Sequence, residues 1–385
     1  MFIFRLPARR RLRYDLNSEC ALSNLNGLAG VAVETLPHPD TLAYLLKRLS
    51  VDALDALRLE LVRSLLRSRR LEGFRLQGSH YLLALDGTGY LYFSKPHCDK
   101  CLHQERTGGP TVYYHPVLEA KLIGPGGLAI SVATEFIENT DGQEKQDCEL
   151  RACYRLLPKL RQAFPQLPIC LLLDGLFLNQ QVMKLADRLR FHWITTFKEG
   201  SLPEAYGEYQ ALQKLVPGQL VVREDGLTRR EYRWLAPLEH AGIGFSAFEC
   251  LETGPDLKTR RFVWATDWEV TPENVVELAE KGGRSRWKIE NEGFNIQKNG
   301  GYGLEHAYCE DWHAAQNFYL LLQIAHLIVQ LMEKGSLLAK PVAQLFGSLL
   351  AFAARLLEAW RNVTIDATEL EIELSRRIQI RLDSS

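Results

Sequence analysis

The stretch Ile169-Cys170-Leu171-Leu172-Leu173-Asp174 is a continuous apolar run that ends in a carboxylate. A short uninterrupted run of this kind predicts a fully buried strand rather than a half-exposed one. His80-Tyr81-Leu82-Leu83-Ala84-Leu85-Asp86 repeats the pattern earlier in the chain. Both aspartates are therefore predicted at the carboxyl ends of strands, where α/β proteins build their sites.

The segment after the first aspartate predicts further strands. Gly87-Thr88-Gly89 is typical of a turn, with a second extended piece over residues 90–94. Apolar segments over residues 112–123 and 128–137 flank Gly124-Pro125-Gly126-Gly127, which predicts a turn between two paired strands. Together these segments predict three or four antiparallel strands.

Helices and strands alternate in the rest of the first half. Leucines and alanines over residues 40–70 stand at helical spacing, and the same periodicity predicts helices over residues 144–164 and 179–190. Residues 191–197 are predicted to form another strand. The expected fold class is α/β, with a mixed sheet flanked by helices and with helical N- and C-terminal regions.

The predicted domain organisation has five parts. They are a helical N-terminal region at 1–75, the first part of a catalytic core at 76–199, a β-rich insertion at 200–270, the second part of the core at 271–308, and a helical C-terminal region at 309–385 that could dimerise. We expect the strands of the insertion to remain separate from the central sheet.

Composition limits the setting more than the function. The formal net charge of −1 gives no global reason to bind a polyanion, although basic residues gather at 9–13, 67–70 and 281–288. Eight cysteines in a chain without a recognisable secretory leader predict reduced thiols in the cytoplasm. The apolar run 318–332 is too short to span a bilayer, so no membrane association is expected.

Three carboxylates carry the candidate chemistry. Asp86 and Asp174 at strand ends, with Glu290 on a later helix, are the oxygen donors that two hard divalent cations require. Asp-Gly is also a common turn sequence, so neither aspartate is specific by itself. Arg286 and Glu290 lie about 40° apart around a helix, which also fits a simple surface ion pair. Glu292, about 200° further round, is the weaker alternative to Glu290.

Three sequence blocks resemble bacterial insertion-sequence transposases of the DDE superfamily. The segment Arg286-Trp287-Lys288-Ile289-Glu290-Asn291-Glu292-Gly293-Phe294-Asn295-Ile296-Gln297-Lys298 resembles their signature helix, Y-x2-R-x3-E-x6-K. Leu83-Ala84-Leu85-Asp86-Gly87-Thr88 and Leu172-Leu173-Asp174-Gly175-Leu176-Phe177-Leu178-Asn179 resemble the two aspartate blocks, in the family's order. The gap before Glu290 fits the β-strand insertion that this subgroup carries inside an RNase H-like fold.

The resemblance implies a function and its partners. Asp86, Asp174 and Glu290 would bind two Mg²⁺ or Mn²⁺ ions, and Arg286 would contact a phosphate beside them. The enzyme would cleave double-stranded DNA at its element's ends and transfer the freed strand into target DNA. It would act as a homodimer in the DNA complex and associate with the nucleoid.

Two positions depart from the family pattern. Gly283 stands where the signature tyrosine is expected, and Gln297 stands where the lysine is expected, with Lys298 one residue further. On a straight helix Gln297 would share the face of Arg286, whereas Lys298 would reach it only round its long stem or through a disturbed helix. Either residue is thus a candidate DNA contact.

Other features leave alternatives open. Trp264 and Trp268 could pack against an unstacked base or form part of a small-domain core. His97-Cys98-Asp99-Lys100-Cys101-Leu102-His103 has the spacing of a zinc half-site, with Cys98, Cys101 and His103 as candidate ligands and His115 as a further candidate. We favour reduced thiols over zinc, because only one ligand pair is evident.

The start of the chain and the reaction outcome also stay open. The chain begins close to a segment that family members place after a helical end-binding region, so we expect a late start codon or a truncated copy. An RNase H-like nuclease without strand transfer is one alternative function. A non-mobile DNA-binding remnant that inhibits transposition is another.

Overall fold

A computed structural model describes residues 1–105, 107–139, 146–215, 219–336, 338, 340–376 and 382. The chain divides into two compact units. The first unit comprises Met1–Arg70, Gly89–His115 and Glu292–Ser385, and the second comprises Leu71–Thr88 and Pro116–Asn291. The predicted start of one helix at residues 144 and 145 lies outside the described residues.

Strands and helices alternate through the described chain. The strands are β1 Tyr81–Phe93, β2 Leu102–Gln104, β3 Val112–Gly124, β4 Leu128–Phe136, β5 Ile169–Leu173, β6 His192–Thr196, β7 Leu220–Asp225, β8 Thr228–His240, β9 Ile243–Thr253 and β10 Thr259–Thr266. The α-helices are α1 Arg9–Leu16, α2 Glu19–Ala29, α3 Pro39–Arg48, α4 Val51–Arg67, α5 Glu149–Ala163, α6 Gln180–Arg188, α7 Pro203–Leu215, α8 Val275–Glu277, α9 Ile296–Asn299, α10 Trp312–Lys334, α11 Val342–Phe346, α12 Leu349–Asn362 and α13 Ala367–Ser375.

The second unit contains a mixed sheet in the order β4-β3-β1-β5-β6-β10-β9-β8-β7. β5 lies parallel to both β1 and β6, whereas β3 and β4 form the antiparallel pair predicted around Gly124-Pro125-Gly126-Gly127. Every residue of β5 is buried, which is the reason that its sequence is continuously apolar. Helices α5 and α6 pack against the sheet and against each other. The predicted mixed α/β fold with flanking helices is confirmed.

β1 is longer than predicted. It runs through Gly87-Thr88-Gly89 to Phe93, so the turn predicted there is wrong. The two glycines are needed because other side chains occupy the space beside them. A Cβ at Gly87 would overlap the Glu149 carboxyl, and a Cβ at Gly89 would overlap the Tyr92 hydroxyl. These glycines therefore mark close side-chain approaches within a strand rather than a reversal of the chain.

The segment 200–270 is rich in strands, but the expectation that these strands stay separate from the central sheet is wrong. It begins with helix α7, and its strands extend the central sheet instead of remaining apart. β10 pairs antiparallel with β6, joining Trp264 to Thr196 and Thr266 to Ile194. The free edge of β6 would otherwise expose unpaired backbone groups, and β10 satisfies them. One argument for assigning the transposase subgroup, a separate insertion, is therefore lost.

The predicted signature helix over 271–308 is helical but irregular. After α8, π-helical turns cover Leu278–Gly282 and Ile289–Asn295, with a 3-10 helix at Gly283–Trp287 between them. Gly282 has φ −85° and ψ −93°, well outside helical values, and Gly293 is a second poor helix former. Straight-helix geometry therefore does not apply along this segment.

Helices dominate the first unit. α10 packs against α3 and α4, and the buried Asn317 amide donates to the Leu46 and Leu49 carbonyls, both at 2.8 Å, at the end of α3. The apolar run 318–332 belongs to the longer helix α10, so the prediction that it is too short to span a bilayer is wrong. Among the described residues α10 is the one helix long and apolar enough to cross a membrane, but 72% of its most apolar window is buried within the protein. This burial is consistent with a core helix of a soluble protein.

Candidate active site

Asp86 and Asp174 occupy matching positions on neighbouring parallel strands. The register pairs Tyr81 with Ile169 and continues to Ala84 with Leu172. Two residues beyond that last pair on each strand stand Asp86 and Asp174. Adjacent strands lie about 4.8 Å apart, so this register places the two aspartates side by side on neighbouring strands. The predicted position at the carboxyl end of a strand is confirmed for Asp174, which follows β5, and is wrong for Asp86, which lies inside β1 because that strand continues to Phe93.

Arg286 links the first aspartate to the glutamate. Its guanidinium donates to Glu290 Oε1 at 2.8 Å and to Asp86 Oδ2 at 3.4 Å. Arg286 and Asp86 are 18% and 19% exposed, whereas Glu290 is 51% exposed. Because two carboxylates share one cation, Arg286 neutralises charge that would otherwise be repulsive. The predicted common face of Arg286 and Glu290 is confirmed.

The Asp86 carboxyl is strongly perturbed. Burial is the main reason that its pKa rises to about 7, and the neighbouring Glu290 carboxylate also favours the proton. Arg286 and the Gly87 N–H, which donates to Asp86 Oδ1 at 2.9 Å, oppose the rise. An aspartate held close to neutrality beside a second carboxylate is typical of sites whose charge is completed by a cation.

Two further charged residues meet Asp174, and the sequence reasoning missed both. The Lys198 ammonium lies 3.6 Å from Asp174 Oδ1, just beyond the carboxyl end of β6. Glu149, the first residue of α5, fills the space above Gly87, and its pKa is raised by burial and then by the charge of Asp174. Lys198 could have been found, since it follows a strand parallel to β5. The sequence held no such signal for Glu149, because only the packing of α5 brings this residue beside Gly87.

A groove of about 560 Å³ adjoins the carboxylates in the second unit. Its lining combines basic and aromatic side chains, among them Lys198, Arg284, Arg286, Trp264 and Trp287. Trp287 is 46% exposed. Trp264 is buried, so of these two tryptophans Trp287 is the one that exposes its ring in the groove.

The departure at the signature tyrosine has a packing explanation. A Cβ at Gly283 would overlap the indole of Trp264, which is itself buried. Trp264 thus occupies the volume that a larger side chain at position 283 would need. The indole also stacks with Phe248 at a ring-centroid distance of 5.3 Å, so it cannot easily give way.

The two candidates for the signature lysine lie in the first unit. Lys298 pairs with Glu305 at 2.8 Å and keeps 26% of its side chain exposed. Gln297 is fully buried, and its amide donates to Gln323 Oε1 at 2.8 Å and lies 2.9 Å from His326 Nδ1. The alternative in which Gln297 contacts a phosphate is therefore wrong, because its amide is taken up by the interior.

Trp268 lies away from the carboxylates. Its ring packs against His80 at 5.0 Å and His192 at 4.6 Å. His192 begins β6 and His80 precedes β1, so this cluster sits at the amino ends of the parallel strands, opposite the aspartates. The structure does not bring Trp268 to the groove, and its predicted contact with an unstacked base stays a prediction. Trp287, and not Trp268, is among the residues that line the groove.

Comparison with known proteins adds no relative. No family model matches the chain, and no curated protein matches it. The chemistry of the site therefore rests on its donor set. Asp86, Asp174 and Glu290 offer oxygen atoms alone, which suit Mg²⁺ or Mn²⁺ rather than softer metals. The guanidinium that already stands between two of these carboxylates shows that the site accommodates positive charge.

A second group of potential metal ligands lies in the first unit. Among the described residues, Cys98, Cys101 and His115 form the one group of three or more Cys, His, Asp or Glu donors whose ligand atoms all lie within 4.8 Å. The carboxylate oxygens of Asp86, Asp174 and Glu290 therefore do not all lie within that distance of one another. The predicted ligand His103 is replaced by His115, because the ladder pairs His103 with Tyr113, two positions along from His115.

Proposed function

We propose that this chain is a DDE-type transposase with an RNase H-like catalytic core. The observation that carries the proposal is the bridge from Arg286 to both Asp86 and Glu290, on a sheet whose register sets Asp86 abreast of Asp174. The bridge joins two of the three sequence blocks of the family resemblance, and the strand register supports placing the third, with Asp174, beside Asp86. A lone Asp-Gly turn or a surface ion pair would have no reason to converge in this way.

The strand order supports the same fold assignment. β4-β3-β1-β5-β6, with an antiparallel pair followed by three parallel strands, is the arrangement expected of an RNase H-like sheet. The continuation of this sheet through β10 does not support the subgroup with a separate insertion. The proposal therefore rests on the carboxylates and the core sheet, and not on the insertion.

Each residue of the site has a role in the proposed reaction. Two divalent ions, when bound, activate the attacking oxygen and stabilise the departing one in an in-line displacement. Asp86, Asp174 and Glu290 would hold these ions. With the carboxylates engaged in this way, the Arg286 guanidinium would donate to a phosphate instead of to Asp86 and Glu290. The Lys198 ammonium would likewise leave Asp174 and contact a phosphate. The groove lined by Trp287 would hold the strand that is cut.

The partners and location follow from this proposal. The substrates would be double-stranded DNA at the element's ends and at the target, and the active complex would be a homodimer associated with the nucleoid. Cleavage and joining use one set of carboxylates, because the 3′-hydroxyl freed by the first step is the nucleophile of the second.

The decisive experiment uses DNA that carries the sequences flanking the gene. The wild-type protein should cleave it and join the freed 3′ end to a target plasmid in Mg²⁺ or Mn²⁺, and a chelator should abolish both steps. Glu290→Gln should abolish cleavage while leaving DNA affinity nearly unchanged. Glu269→Gln, at an exposed glutamate outside the carboxylate site, is the matched control.

Three outcomes would change the proposal. Hydrolysis without joined products would leave an RNase H-like nuclease. DNA binding without any cleavage would leave a non-mobile remnant. Cleavage that persists in chelator would rule out the two-metal mechanism.

A further inference from the structure

Cys98, Cys101 and His115 converge on one point in the first unit. The two sulfurs lie 3.7 Å apart, and His115 Nε2 lies 3.4 Å from Cys98 Sγ and 3.2 Å from Cys101 Sγ. A tetrahedral zinc ion with ordinary bond lengths would hold two sulfurs about 3.8 Å apart and a sulfur and a nitrogen about 3.5 Å apart. The triangle of donor atoms therefore already has the dimensions of a zinc site.

Local structure brings the three ligands together. The Cys101 N–H donates to the Cys98 carbonyl at 3.3 Å, so the two cysteines are the ends of one tight turn. β2 and β3 then place Cys101 across from His115, one position beyond the pair Leu102–Tyr114. The cysteine spacing and the strand ladder are independent, yet both lead to the same point.

The surroundings fix the histidine in its orientation. The His115 ring is buried and stacks on the Trp312 ring, with centroids 3.9 Å apart. Within the described part of the chain its Nδ1 has no hydrogen-bond partner, so Nε2, which faces the two sulfurs, makes the polar contacts of the ring. A buried imidazole aimed at two thiols is better explained by a shared ion than by weak thiol hydrogen bonds.

A disulfide does not explain the pair of cysteines. Bonded sulfurs lie about 2.05 Å apart, far closer than the observed 3.7 Å. A Cys98–Cys101 disulfide would also leave His115 facing two atoms that could no longer act as anionic ligands.

We propose that Cys98, Cys101 and His115 bind one structural zinc ion, chemically separate from the Mg²⁺ or Mn²⁺ ions of the carboxylates. Thiolate and imidazole donors select zinc over magnesium. The three described donors leave one tetrahedral position for a water molecule or another donor. The ion would tie the Cys98–Cys101 turn to β3. This inference does not depend on the proposed function.

The full chain, purified without chelator and equilibrated with zinc chloride, tests the proposal. Elemental analysis should find about one zinc per chain, and replacement by Co²⁺ should give the thiolate-to-metal absorption of a tetrahedral site. Cys98→Ser and His115→Gln should each lower bound zinc at least about tenfold. Cys148→Ser, at an exposed cysteine, and Asp86→Asn should both keep the full zinc content.

Folding of the variants does not limit the test. If Cys98→Ser fails to fold, the cobalt spectrum of the wild-type protein still decides whether thiolates bind the metal. Absence of both bound zinc and the cobalt spectrum would overturn the proposal. So would a Cys98–Cys101 disulfide recovered from protein kept under reducing conditions, or a zinc content that falls with Asp86→Asn.

Discussion

The Glu149 carboxyl fills the space that the missing side chain of Gly87 leaves beside the first aspartate. We expect Gly87→Ala to lower the free energy of unfolding by about 1–3 kcal/mol, because the added methyl group overlaps that carboxyl. Gly200→Ala, which meets no atom within 4 Å, is the matched control. Denaturant unfolding of Gly87→Ala, Glu149→Ala and the double variant gives their coupling. If the double variant is no more stable than Gly87→Ala, the contact is not the cause.

Arg286 should contribute to DNA binding through phosphate. Its two donors are held by carboxylates in the metal-free site, and we expect them to be released when divalent ions bind. Arg286→Ala should then weaken DNA binding in Mg²⁺ and lower the slope of log affinity against log salt by about one ion. Arg355→Ala, at an exposed arginine on α12, should leave the slope unchanged. Fluorescence anisotropy over a salt series would show the difference, and equal slopes would refute the phosphate contact.

The two tryptophans should differ in what they affect. Trp287 is exposed in the groove, so Trp287→Ala should reduce affinity for single-stranded DNA about tenfold or more, in line with about 1–3 kcal/mol for each stacked base. Trp268 packs against His80 and His192, so Trp268→Ala should mainly lower the melting temperature. Binding titrations at a temperature where both variants are folded separate these effects. A loss of affinity confined to Trp268→Ala would return the base contact to that residue.

Gln297 and Lys298, which follow Glu290 in the chain, should differ in how much each stabilises the folded protein. Gln297→Ala removes a buried amide from Gln323 and His326, so we expect a loss of about 1–3 kcal/mol in the free energy of unfolding. Lys298→Ala breaks only a half-exposed pair with Glu305 and should cost under about 1 kcal/mol. Equilibrium unfolding gives both values. Whether Lys298 contacts phosphate is then read from the salt slope of its alanine variant.

Asp86 should make the stability of the metal-free protein depend on pH. Because its folded pKa is raised from 3.8 to about 7, the folded state holds the proton more tightly than the unfolded chain does. The resulting contribution is complete below about pH 4 and is lost as the pH rises to about 7. The wild-type protein in chelator should therefore lose stability relative to Asp86→Asn across this range. Urea unfolding at several pH values measures the difference, and a constant difference would contradict the raised pKa.

The sequence by itself determined the parts of the site that depend on strand patterning. The apolar runs before Asp86 and Asp174 predicted two buried strands, and β1 and β5 confirm them, although Asp86 lies inside β1 rather than at its carboxyl end. The spacing from Arg286 to Glu290 likewise set their ion pair, although the helix there is irregular. Local patterns of this kind depend on periodicity, which is a property of consecutive residues.

Only the tertiary structure decided the rest, because it depends on contacts between residues far apart in the chain. Gly87 reads as a turn residue until Glu149 is seen above it, and β10 reads as part of a separate insertion until it pairs with β6. The choice of His115 over His103 follows from the ladder between β2 and β3, not from cysteine spacing. Packing and strand pairing are selected by the whole chain, so a linear pattern cannot fix them.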